Sequence, residues 1–128
     1  MAAAAGPVAT RIRSFVMRAG RMTAGQEQGW QQGFPQFGLT VAQGALDWDK
    51  TFGSPGRRVL EIGFGMGDSL LQMAQAEPET QFVGIEVHQP GVGRLLSQAL
   101  GLGIGNLRVY AEDAVDVLSH CVAPASLD

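Results

Sequence analysis

Cysteine is almost absent from this sequence, which contains only Cys121 among its 128 residues. A lone cysteine excludes a disulfide framework and indicates a reducing compartment, so we expect a cytoplasmic protein. Without a local pattern around it that suggests a nucleophile, Cys121 is more typical of a small buried apolar residue.

Long apolar runs and a strong overall charge are also missing. No stretch approaches the roughly 18 apolar residues of a membrane-spanning helix, so we expect no membrane span. The first twenty residues lack the charged-then-apolar order of a secretion signal, although their arginines and lack of acids leave an organelle transit peptide as an alternative. A net charge of −3 argues against a protein that binds nucleic acid over its whole surface.

Positive charge is instead concentrated near the N-terminus. Four arginines and no acid lie in the first 25 residues, and a smaller pair follows later: Arg11, Arg13, Arg18, Arg21, Arg57 and Arg58. This segment could meet a phosphate backbone, and a solvated tail is the alternative. We therefore divide the chain into a basic, partly disordered arm at residues 1–38 and a folded part at residues 39–128.

Three aromatic residues near the end of the arm would form one stripe on a helix. Trp30, Phe34 and Phe37 follow each other at spacings of four and three. Packing onto the folded part is the favoured role of this stripe, and a platform for stacking bases is the alternative. Glycines and glutamines are so dense here that we expect only one or two helical turns, which Pro35 would end or kink.

A regular alternation of strands and helices begins at Arg58. Short apolar runs predict buried parallel strands, and amphipathic stretches predict helices between them. The strands are expected at residues 58–63, 81–87 and 106–113, and the helices at residues 68–77, 90–103 and from 114 to 120. Pro78 would lie just beyond the first helix, Pro90 suits the first turn of the second, and Gly101 or Gly103 suits its C-terminal stop. Right-handed crossovers then give an α/β fold with a parallel sheet.

The glycine-rich turn after the first strand is a poor site for a diphosphate. A dinucleotide fingerprint that starts at Gly63 needs glycine or alanine at position 68, where this chain has Asp68. A carboxylate there would compete with a pyrophosphate for the helix N-terminus, and Asp68 could also cap that helix. No Lys-Ser/Thr pair follows the turn, which excludes a P-loop.

Acidic residues at the strand ends favour a ligand that has a ribose but no phosphate. Glu86 is placed to accept from both ribose hydroxyls, Asp113 from an adenine amine, and Glu61 suits a ligand with an ammonium group. For each acid alone, a structural role as turn former or cap is equally consistent. Together they describe a site for S-adenosylmethionine.

Four stretches make the chain resemble a known family. They are "RSFVMRAGRMTAGQ" at residues 13–26, "LEIGFGMGDSL" at 60–70, "FVGIEVHQPGVG" at 82–93 and "NLRVYAEDAVDVL" at 106–118. These stretches resemble the bacterial tRNA (guanine-N7-)-methyltransferases. The glycine motif alone indicates only a class I S-adenosylmethionine-dependent methyltransferase, whereas "GIEVHQPGVG" together with "GRMT" is more specific.

The resemblance implies a Rossmann-like fold, a tRNA substrate and a set of cofactor residues. By it, Glu61, Gly63, Glu86 and Asp113 bind S-adenosylmethionine, while His88 is either near the cofactor or a surface turn residue. Methyl transfer to guanine N7 uses a free lone pair, so it needs neither a base nor a metal. Proximity and orientation can supply about 7 to 11 kcal/mol of the barrier reduction.

The printed sequence stops before the family's C-terminal motifs. The fourth strand, a Phe-Pro-Asp-Pro-Trp type motif and a basic segment would follow Asp128, so we expect a Rossmann-like sheet truncated after about three parallel strands. No catalytic residue is assigned, and the chain alone is expected to be inactive and prone to aggregate through an open edge at residues 59–62. A class I methyltransferase for another RNA or a small molecule, and a noncatalytic binding protein, are the alternatives.

Overall fold

A computed structural model describes residues 21–123 and Leu127 of the chain. Most of the predicted basic arm, including Arg11, Arg13 and Arg18, lies outside the described residues. The elements in chain order are α1 (Ala24–Phe37), β1 (Gly38–Leu39), a 3-10 turn (Val41–Gln43), α2 (Trp48–Phe52), β2 (Arg58–Ile62), α3 (Asp68–Ala76), β3 (Gln81–Ile85), α4 (Gln89–Leu102), β4 (Leu107–Tyr110) and α5 (Ala114–His120).

The four described strands form one parallel sheet in the order β1-β4-β3-β2. The α/β prediction and its three strands are therefore confirmed, while the two-residue strand β1 was not predicted. Among the described residues β2 pairs only with β3, so it lies at an edge of the sheet as expected. The boundary predicted between residues 38 and 39 falls inside β1.

Helices cover both faces of the sheet, as in Rossmann-like folds. Neighbouring residues of β3 point to opposite faces, so Phe82 joins one buried cluster and Val83 joins the other. The first cluster packs against α1, α3 and α4, and the second packs against α2 and α5. Within residues 21–123, no helix has both the length and the apolar character to cross a membrane.

Helix α1 is longer than the one or two turns that we expected. It has 14 residues and starts with a capping box in which Thr23 and Gln26 exchange hydrogen bonds. Pro35 does not end it, because the helix continues to Phe37, which is fully buried. The glycines that argued against a helix include Gly29 and Gly33, which face α4 where a side chain would not fit.

The predicted ends of helices α3 and α4 agree with the structure to within two residues. Pro90 occupies the first turn of α4, and Gly103 caps its C-terminus with a φ of 66°. Pro78 follows just beyond α3, which ends at Ala76. Short helix α2 lies before β2 and was not predicted.

Candidate cofactor site

Strands β2, β3 and β4 end at the same level, so their carboxyl ends lie side by side. Ile62 pairs with Ile85, and Ile85 pairs with Tyr110, in the parallel register. The backbone N–H of Gly63 donates to the Ile85 carbonyl at 2.8 Å, and that of Glu86 donates to the Tyr110 carbonyl at 3.1 Å. The segments that carry the predicted site residues therefore leave the sheet side by side.

The glycine turn at residues 63–67 has three residues in the left-handed region. Gly63, Gly65 and Gly67 have φ values of 73°, 65° and 87°, which glycine adopts without steric cost. A Cβ at Gly63 or Gly65 would meet nothing within 4 Å, whereas one at Gly67 would press against Leu95. The first two glycines thus border open space that a ligand can enter, and the third allows close packing of α4.

Glu86 holds the glycine turn in place. Its Oε1 accepts from the Gly65 N–H at 2.7 Å, while its Oε2 accepts from the N–H groups of Val87 at 3.1 Å and His88 at 3.0 Å. A carboxylate has about four lone-pair positions, so one position on Oε1 remains for a ligand. Bonds to two ribose hydroxyls would require one of these three N–H groups to release Glu86.

Glu61 has an acceptor that lacks a donor. It precedes the last residue of β2 and is half-buried, and its Oε1 is shielded from solvent without a hydrogen-bond partner among the described residues. A buried acceptor of this kind costs about 1 to 3 kcal/mol, so such atoms need an explanation. Because this Oε1 has almost no accessible surface, an ammonium group could reach it only if the Glu61 side chain moved, so pairing of Glu61 with the predicted cofactor stays a prediction.

Asp113 has a structural role in the described chain. It is the N-cap of α5 and accepts from the Val115 N–H at 2.8 Å. This contact is the capping alternative that the sequence left open. A carboxylate can accept further bonds, so recognition of an adenine amine by Asp113 stays a prediction.

Asp68 is not the cap of α3. Gly67 occupies the N-cap position, and Asp68 lies in the first turn, where its Oδ1 is 2.9 Å from an Nη2 of Arg94 on α4. Both side chains are substantially exposed, so this ion pair contributes little to stability. Its carboxylate still lies at the start of α3, where a pyrophosphate would have to bind.

Two contacts around the start of α4 were missed by the sequence analysis. A Cβ at Gly91 would overlap the carbonyl oxygen of Gly65, so α4 begins directly against the glycine turn. The indole N–H of Trp30 donates to the carbonyl oxygen of Gln89 at 2.9 Å. Glycines inside a predicted helix were the available signal for the first contact, and no local pattern could reveal the second.

The aromatic stripe of α1 packs against the folded part. Phe37 is fully buried, and the rings of Trp30 and Phe34 stack with their centroids 5.1 Å apart while packing on the same cluster. The favoured packing role is therefore confirmed. Their mutual stacking and their place on this cluster argue against the alternative of a base-stacking platform.

Arg57 and Arg58, the later basic pair, form ion pairs with acids of the same chain. An Nη1 of Arg57 lies 3.8 Å from Glu77, and Arg58 lies 3.4 Å from Asp49 with its guanidinium over the Trp48 ring. These contacts reduce the positive charge that this pair can offer to RNA. The pair is therefore a weaker candidate for phosphate contact than its charge suggests.

Cys121 lies in the buried cluster that also contains Tyr110. Cys121 is buried, as predicted, and burial raises the pKa of its thiol. Burial also raises the pKa of Tyr110, which lies beside it. No group of three or more potential metal ligands is found in the described part of the chain.

A cleft of about 750 Å³ lies away from the glycine turn, at the amino ends of the strands. It is bordered by Pro55, Pro78 and Gln81, among others. The Oε1 of Gln81 is a second buried acceptor without a partner among the described residues. Because this atom has almost no accessible surface, the cleft offers no defined polar contact to a ligand there.

Comparisons with known proteins point to methyltransferases. The family model described as "Putative methyltransferase" matches residues 56–128. The chain is similar to a tRNA (guanine-N(7)-)-methyltransferase of Pseudomonas entomophila strain L48, with 59% identity over 118 residues that cover 92% of this chain and 49% of the relative. Its namesake from Stutzerimonas stutzeri strain A1501 is 57% identical over 117 residues, which cover 91% of this chain and 49% of the relative. The chain thus spans about half the length of the curated relatives it matches.

Proposed function

Because the chain belongs to the family described as putative methyltransferases, we propose that it is the cofactor-binding part of a tRNA (guanine-N7-)-methyltransferase that uses S-adenosylmethionine. The observation that carries the proposal is the glycine turn, which is open at Gly63 and Gly65 and is held by Glu86 where β2 and β3 end. The high identity to relatives that bear this name supports the choice of tRNA guanine as the substrate.

Each predicted site residue has a distinct task in this proposal. Glu61 would pair with the ammonium group of the cofactor. The open space at Gly63 would allow the cofactor to lie close to the backbone of the glycine turn. Glu86 would accept from the ribose, and Asp113 from the adenine amine. When bound, S-adenosylmethionine supplies an electrophilic methyl group on a sulfonium.

The chemistry asks little more of these residues than binding and orientation. Guanine N7 carries a lone pair, so its attack on the methyl group requires no prior loss of a proton. Holding the cofactor in one orientation on a rigid turn is the contribution that the described residues can make. A cytoplasmic tRNA is the proposed partner.

Binding of S-adenosylhomocysteine to the 128-residue chain tests the cofactor site. We expect calorimetry to detect binding, and Glu86→Ala to weaken it by about 1 to 3 kcal/mol, because the ribose and the Gly65 N–H lose their shared acceptor. Glu79→Ala is the matched control, since Glu79 is an exposed acid at the opposite end of the sheet. Equal affinities of the wild type and Glu86→Ala would remove Glu86 from the site.

The substrate is tested separately with a protein of the relatives' length that contains this chain. We expect it to place the methyl group of radiolabelled S-adenosylmethionine on N7 of a tRNA guanine. Transfer to another RNA or to a small molecule would keep the cofactor site and replace the substrate. A folded protein that binds neither S-adenosylmethionine nor S-adenosylhomocysteine would contradict both enzyme assignments.

A further inference from the structure

Helix α1 is fastened to the first turn of α4. The Trp30 indole N–H donates to the Gln89 carbonyl at 2.9 Å, although 59 positions separate the two residues. A Cβ on Gly93 would lie only 2.9 Å from the Cδ1 of Trp30, so no side chain separates the indole from the α4 backbone. The indole therefore has a defined position over the start of α4.

Gln89 is continuous with the residues that hold the glycine turn. We call residues 86–89 the cofactor loop: Glu86 carries the carboxylate, Val87 and His88 donate their N–H groups to it, and His88 is the N-cap of α4. Just after this loop, Gly91 touches the carbonyl oxygen of Gly65. A shift of the Gln89 carbonyl would therefore move both the loop and the support of the turn.

Trp30 lies outside this region, and its hydrogen bond ends on the cofactor loop. Other bonds to the loop include the backbone bond from Glu86 to Tyr110, the bond from the Val92 N–H to the His88 carbonyl and the bond from the Gly65 N–H to Glu86. A buried indole N–H usually finds an acceptor, and many such bonds only stabilise the fold. Here the acceptor belongs to the segment that orients the Glu86 carboxylate.

We propose that Trp30 is a positioning residue that sets the cofactor affinity by fixing the cofactor loop from α1. The inference rests on the proposed function, because it assumes that Glu86 binds the cofactor. Trp30 itself does not touch the ligand in this account. Its contribution is made through Gln89 and the loop, and it links the N-terminal helix to the cofactor site.

The test compares Trp30→Phe with Phe34→Leu in the complete 128-residue chain. Trp30→Phe keeps an aromatic ring against Phe34 but loses the N–H, whereas Phe34→Leu loses the ring stack and keeps the bond to Gln89. We expect Trp30→Phe to raise the Kd for S-adenosylhomocysteine by about three- to tenfold, as the loss of one hydrogen bond predicts. Phe34→Leu should lower the melting temperature and leave this Kd within about twofold of the wild type.

Amide hydrogen exchange gives a second measurement that needs no ligand. The amides of Val87 and His88 should exchange faster in Trp30→Phe than in the wild type or in Phe34→Leu. If the wild type binds S-adenosylhomocysteine and Trp30→Phe binds it equally well with unchanged exchange, the inference alone is overturned. If the folded wild type does not bind it, the proposed function fails, and the inference fails with it.

Discussion

Under the proposed function, Glu86 serves both the fold and the ligand. Three backbone N–H groups already bind its carboxylate, and one of them belongs to Gly65 on the neighbouring strand end. Glu86 therefore preorganises the turn before any ligand arrives. A ligand that bonds to both of its oxygens must displace the N–H of Val87 or His88 from Oε2, so ligand binding is linked to the conformation of this segment.

Alanine substitutions at Gly63 and Gly103 distinguish the effect of backbone strain from the effect of ligand contact. Gly63→Ala and Gly103→Ala both place a Cβ at positive φ, 73° and 66°, and in both cases the Cβ meets nothing within 4 Å. Each should lose about 1 to 2 kcal/mol of unfolding free energy. We expect only Gly63→Ala to weaken binding of S-adenosylhomocysteine, by roughly tenfold in calorimetry, because its methyl group enters the open space over the turn. Equal affinities of the two variants would place the ligand elsewhere.

At the scale of elements, α1 and α4 approach each other through glycine. Gly29 faces the Gly93 carbonyl, and Gly33 faces Leu96, so the two helices pack closely along this seam. Glycine lowers helix propensity by about 1 kcal/mol relative to alanine, and the contact with α4 offsets this cost. The same residues that weaken the helix in the sequence therefore allow it to pack.

Two alanine substitutions distinguish propensity from packing in α1. Gly29→Ala places a Cβ 2.9 Å from the backbone N of Ser97 and should destabilise the chain by about 1 to 3 kcal/mol in urea unfolding. Gly25→Ala meets only the Oγ1 of Thr23, at 4.0 Å, and should stabilise it by about 0.5 to 1 kcal/mol. Stabilisation by both variants would show that this seam is not tightly packed.

At the scale of the whole molecule, strand β2 forms an unpaired edge of the described sheet. Strand β2 pairs on one side only among the described residues, and Ile62 at its end is 53% exposed. An unpaired edge with an apolar side chain favours pairing with other chains. The 128-residue chain by itself is therefore expected to self-associate through β2.

Replacing Ile62 by lysine tests this expectation. Ile62→Lys puts a charge on the edge and should reduce the concentration-dependent light scattering of the chain. Leu102→Lys is the control, because Leu102 is 50% exposed at the end of helix α4 and away from β2. Scattering that falls equally in both variants would indicate general apolar association instead of edge pairing.

Residues close together in sequence account for most of what could be predicted. The apolar runs that form β2, β3 and β4, Pro90 in the first turn of α4 and the cap at Gly103 are local patterns with direct structural meaning. The proximity of the glycine turn to Glu86 followed from the rule that the carboxyl ends of parallel strands lie on the same side of the sheet. The sequence alone thus determined the fold class and the end of the sheet at which the candidate site residues lie.

Contacts between distant residues were decided by the tertiary structure. Helix α1 forms because glycine permits close packing against α4, and Pro35 is tolerated because packing of Phe37 holds the last turn. The bond from Gly65 to Glu86 spans 21 positions, and the bond from Trp30 to Gln89 spans 59. No local pattern carries such information, because a hydrogen bond of this kind depends on where the folded sheet and helices place its donor and acceptor.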